Sequence, residues 1–134
     1  MGHVYVARSA TLGKWASDVG LSKHIYKLGF TEEPVAAVIA AGWAGLTDWK
    51  LVKQQTADGL DEAALIYRVA GKVKPVDPGL YPRIKGTLGV FKVVPTQVEN
   101  HIVLTKALAG EERDVEVKLK PLDFAAFLIH LATR

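Results

Sequence analysis

Two short strand-like runs, each carrying a tyrosine, constrain this chain most. The first is His3-Val4-Tyr5-Val6-Ala7 and the second is Ile25-Tyr26-Lys27-Leu28-Gly29-Phe30-Thr31. Both are rich in β-branched and aromatic residues. The remaining strand-like runs alternate with helical ones. Residues 49–54 and 88–94 read as strands, and 113–120 alternates strictly and is the clearest strand by pattern. Residues 8–23 read as a connection holding one helical turn near 12–16.

The helical runs carry their own start and stop signals. Thr31 suits an N-cap, Glu32 and Glu33 sit at the positive end of the dipole, and Pro34 is tolerable in a first turn. The spacing therefore predicts a helix over 32–41 that stops near Gly42 and is apolar nearly all round, hence buried. Asp58 or Asp61 caps a second helix over 60–69, with Glu62 in its first turn. Thr96 and Glu99 have capping-box spacing ahead of a helix over 97–108. A final amphipathic helix runs over 122–133, with Phe124, Phe127, Leu128 and Leu131 on one side. Pro75, Pro78 and Pro82 make 72–86 a loop.

Such an order predicts a single α+β domain with a small central mixed or antiparallel sheet flanked by helices. Residues 1–94 form its core, and 95–134 form a C-terminal helix–strand–helix extension. A chain of 134 residues has room for one domain. With 49% hydrophobic and 23% charged residues it has the balance of a folded globular protein. Its longest apolar run, 35–46, is too short for a membrane span of ~18–20 residues, so no membrane is expected as a partner. The N-terminus lacks the basic-then-apolar pattern of a signal peptide. Cysteine is absent, which excludes disulfides, thiolate zinc sites, iron–sulfur clusters and a cysteine nucleophile, and fits a cytoplasmic protein.

Net charge is +3, and its distribution says more than its size. Between residues 68 and 92 stand Arg68, Lys72, Lys74, Arg83, Lys85 and Lys92 against Asp77 alone, a net +5. Such a strip suits phosphate neutralisation, and it equally suits a solvated loop. His24, His101 and His130 are too scattered for a metal cluster. No glycine-rich run leads into Lys-Ser or Lys-Thr as a phosphate loop requires, and no serine stands in a nucleophile elbow.

Val4-Tyr5-Val6, then Tyr26-Lys27-Leu28-Gly29-Phe30-Thr31, then helix, strand and a glutamate-bearing helix, resembles the GIY-YIG nuclease superfamily. The closest likeness is to the branch whose second signature reads Tyr-Lys-Ile-Gly followed by threonine. The resemblance covers residues 2–94. It implies a DNA phosphodiesterase site in which Tyr5 activates water, Tyr26 supports it at the phosphate, and Glu62 holds one divalent ion, Mg²⁺ or Mn²⁺. One carboxylate with waters and a phosphate suffices for Mg²⁺. Gly29 would permit close backbone approach. Lys27, Arg68, Lys72, Lys74, Arg83 and Lys85 would contact nucleic acid. Two departures stand out. The helix over 32–41 has no cation where active members carry an arginine. The tyrosines are 21 positions apart, longer than the family's usual gap. Three readings follow: a metal-dependent endonuclease, a catalytically inactive module of the same fold that binds nucleic acid or protein, or an unrelated α+β protein. In the last, the 113–120 strand pairs with another chain.

Overall fold

The computed structural model describes residues 2–21, 24–81, 84, 86–108 and 119–133. Five strands and five helices are formed among these. In chain order they are β1 (Gly2–Ser9), α1 (Ala10–Asp18), β2 (Ile25–Thr31), α2 (Val35–Ala41), β3 (Trp49–Ala57), α3 (Glu62–Ala70), β4 (Lys74–Pro75), β5 (Val90–Lys92), α4 (Pro95–Leu108) and α5 (Pro121–Thr133). The sheet runs β3-β1-β2-β5-β4 with every neighbouring pair antiparallel. The α+β class is as expected, and the sheet is antiparallel throughout. No helix among the described residues is long and apolar enough to cross a membrane. Of the strand expected at 113–120, residues 113–118 lie outside the described residues, and Leu119 and Lys120 are not in a strand.

β1 is central and buried on both faces, which explains its nearly unbroken apolar run; Val4, Tyr5, Val6 and Ala7 are all shielded. Strand alternation then divides the core. Val4, Val6, Tyr26, Leu28 and Phe91 meet α3, α4 and α5 on one face, with Leu65, Val69, Val98, Phe124 and Leu128. Ala7, Ile25 and Val90 meet α1 and the α2–β3 region on the other, with Leu12, Ala16, Trp49 and Ile84. The sheet's outer edges are polar. β3 exposes Lys50, Gln54 and Gln55, and β4 is a two-residue Lys-Pro strand, a composition that discourages pairing with a further chain.

Element boundaries move for local reasons. Thr31 remains in β2, and its hydroxyl accepts from the Glu33 N–H at 3.0 Å. Pro34 disfavours helical geometry in the residue before it, so α2 begins only at Val35. Asp61 is the N-cap of α3, whereas Asp58 accepts from the Gly2 N–H at 3.1 Å and ties down the start of β1. The connection after β1 holds a full helix, α1, because Ser9 caps it: the Ser9 hydroxyl accepts from the Leu12 N–H at 3.2 Å. The segment read as an extension supplies α5, whose Phe124, Ala125, Phe127, Leu128, Ile129 and Ala132 all lie in the main core.

Candidate functional site

The β1–β2 register sets Tyr5 opposite Gly29 and Ala7 opposite Lys27. Tyr5, Lys27 and Gly29 therefore share one sheet face. The Tyr5 ring crosses Gly29 so closely that any Cβ there would fall on its hydroxyl, and the same Cβ would stand 3.1 Å from Glu62 Oε2. Glycine is required here for space.

Glu62 reaches this point through a gap in the sheet. β5 is only three residues long, so β2 outruns its partner. The Leu28 N–H still finds the Gly89 carbonyl at 2.8 Å. The next donor on that edge, the Phe30 N–H, donates to Glu62 Oε2 at 2.9 Å. A carboxylate from the first turn of α3 thus completes the ladder and borders the Tyr5 hydroxyl.

Lys27 is the third member. Its side chain is 2% exposed, and Nζ donates to the Leu28 carbonyl at 2.8 Å. The ammonium lies 5.3 Å from the Trp43 ring centroid and 6.0 Å from that of Tyr5, within cation–π range. Trp43 stacks on Tyr5, centroids 5.8 Å apart and planes 19° off parallel. Trp49 holds Trp43 in turn, edge-on at 5.1 Å, with its indole N–H donating to the Trp43 carbonyl at 3.0 Å.

The electrostatics follow from burial. Burial pushes the Lys27 ammonium down to about 8, against the opposing pull of the Glu62 charge. Burial pushes the Tyr5 phenol up, and the negative Glu62 pushes it the same way. Tyr5 is therefore a protonated hydrogen-bond donor at neutral pH and not a ready base. Of Tyr5 and Lys27, Lys27 is the group whose proton is brought toward neutrality.

Tyr26 does not join them. It is three positions from Gly29, an odd number, so it faces the opposite side of the sheet. There it stacks on Phe124 at 5.4 Å, and Phe124 stacks on His24 at 4.6 Å. Burial raises its phenol, and the charge and hydrogen bond of Arg8 pull it back. The expected meeting of Tyr5, Tyr26 and Glu62 is thus replaced by Tyr5, Lys27 and Glu62. Sequence reasoning gave Lys27 to nucleic acid, but its buried ammonium is out of reach of a phosphate. Counting back two residues from Gly29, and not three, is the signal that finds it.

The cationic strip is divided. Arg68, Lys72 and Lys74 are exposed around the C-terminal end of α3 and the β4 edge. Arg68 Nη1 also donates to the Ala132 carbonyl at 3.1 Å, near the end of α5. Arg83 and Lys85 lie outside the described residues.

A divalent ion fits the cluster poorly. Glu62 is its one carboxylate, one oxygen is engaged by the Phe30 N–H, and the buried ammonium of Lys27 stands in the same cluster. No group of three His, Cys, Asp or Glu side chains suited to a metal ion occurs among the described residues. Comparison with protein-family models, with curated proteins and with solved structures returns no match for this chain.

Proposed function

We infer that this chain is a GIY-YIG-like domain whose phosphodiesterase site is held shut, and that it acts as a nucleic-acid-binding module. The antiparallel hairpin, the glycine beneath a tyrosine and the glutamate from a later helix support the family likeness. One observation carries the loss of catalysis: Tyr5 and Lys27 are each 2% exposed beneath Trp43. An in-line attack needs water and a phosphate at these groups, and here an indole fills that place. The absence of any cation in α2 removes a further charge donor, a loss on the order of 10²–10³ in rate. Binding would rest on Arg68, Lys72 and Lys74, which stand exposed along one edge.

The test has two arms. Incubation with duplex and single-stranded DNA and Mg²⁺ or Mn²⁺ is expected to leave the DNA intact. Cleavage by the wild type that disappears in Glu62→Ala would overturn the closed-site reading in favour of an active metal-dependent endonuclease. In the second arm, DNA affinity is measured against salt. Each lost phosphate contact lowers the magnitude of the log–log slope by roughly 0.7–0.9. The Lys72→Glu/Lys74→Glu variant is expected to bind at least about tenfold more weakly at low salt. No affinity for DNA at low salt would remove nucleic acid as the partner.

A further inference from the structure

A second site lies at the end of the sheet where β1 runs into α1 and β2 begins, away from the Tyr5 cluster. A cavity of about 570 Å³ opens between the end of β1, one side of α1 along its whole length, the start of β2 and the start of α5. That volume is in the range of small-molecule sites, roughly 300–1,000 Å³. Three cations line it, each from a different part of the chain: Arg8, Lys14 and Lys120. Asp18 is the one acid in the lining, which leaves a net charge of +2. The apolar part of the lining includes Ile25 and the buried ring of Phe124, and Tyr26 borders it. Arg8 stands at the wall beside Tyr26, close enough for its charge to pull the phenol down.

The end of α1 is not what supplies this positive field. Its Thr11 N–H donates to Asp48 Oδ2 at 2.9 Å and its Leu12 N–H to Ser9 Oγ at 3.2 Å. The cationic side chains carry the attraction. A phosphomonoester carries about −1.5 to −2 near neutral pH, which matches the lining charge, and its organic body matches the apolar wall.

We propose that this cavity binds a small phosphomonoester with an apolar body, the chemical class of a mononucleotide. The assignment is independent of the closed cluster around Tyr5 and of the exposed strip around Lys72. The phosphate is held by Arg8, Lys14 and Lys120, and the organic part lies toward Phe124 and Ile25.

Calorimetric titration of the full chain with adenosine 5′-phosphate, uridine 5′-phosphate, phenyl phosphate, adenosine and inorganic phosphate tests it. At least one of the three phosphomonoesters is expected to bind, with a Kd between roughly 10 µM and 1 mM. Adenosine and inorganic phosphate are each expected to bind at least about tenfold more weakly than the best phosphomonoester. Lys14 and Lys120 are exposed, so Lys14→Glu/Lys120→Glu should fold as the wild type does by circular dichroism. It is expected to weaken that phosphomonoester at least about tenfold. Three results overturn the proposal: no phosphomonoester binding up to about 10 mM, equal affinity in the folded double variant, or inorganic phosphate bound as tightly as the esters.

Discussion

Lys27 is the residue with most at stake in this fold. Its ammonium is buried among two aromatic rings and a carbonyl, with Glu62 as the nearby counter-charge. Burial holds its folded-state value at about 8, below the ordinary 10.5. Between those two values the unfolded chain keeps the proton and the folded chain releases it, so stability rises with pH across that window. Below it, both states are protonated and the folded state bears the full desolvation cost, about 3 kcal/mol by linkage. Lys27→Met keeps the volume and removes the charge. Relative to this variant, the wild type is expected to gain about 3 kcal/mol in urea unfolding between pH 8 and pH 10.5. At pH 7 the variant should be at least as stable as the wild type. Parallel pH profiles for the two proteins would show that the ammonium is not desolvated.

At the scale of elements, the junction of β1 with α1 depends on two side chains far apart in sequence. Ser9 closes β1 and caps α1. Its hydroxyl donates to Asp48 Oδ1, while Asp48 Oδ2 accepts from the Thr11 N–H at 2.9 Å. These bonds hold the Asp48 carboxyl down at about 2, below the ordinary 3.8. Their contribution is present above the unfolded value and fades as pH falls from 3.8 toward 2. Ser9→Ala should cost about 1–2 kcal/mol, since it loses a helix cap at a buried position. Asp48→Asn should lose part of the acid-induced fall in stability between pH 4 and pH 2, read by thermal melts monitored by circular dichroism. An unchanged acid limb would remove Asp48 from this account.

For the whole molecule the decisive element is α5, which closes the face of the sheet opposite the Tyr5 cluster. Phe124 is buried, stacks on Tyr26 and shares one core with Val4 and Phe91, so Phe124→Ala should cost about 3–5 kcal/mol. A chain ending at Val94 should show no cooperative unfolding transition, and a cooperative melt from that fragment would mean that residues 1–94 are a complete domain. The sequence alone determined the things that depend on neighbours: the two tyrosine-bearing strands, the glutamate in a first helical turn, and the α+β class; the run read as a proline-rich loop over 72–86 instead holds the edge strand β4, because pairing with β5 lies far along the chain. Period-two alternation already places Lys27 with Gly29 and separates Tyr26 from them, although the family-like spelling of the motif draws attention to the tyrosine instead. What tertiary structure decided are the relations between distant segments: Ser9 with Asp48, the tryptophan lid over Tyr5 and Lys27, Glu62 at the gap beyond β5, and α5 as core and not appendage. Local propensity acts over a few residues of chain. Whether a polar cluster lies open or sealed depends on which apolar surfaces the sheet brings over it, and no short stretch of sequence encodes that.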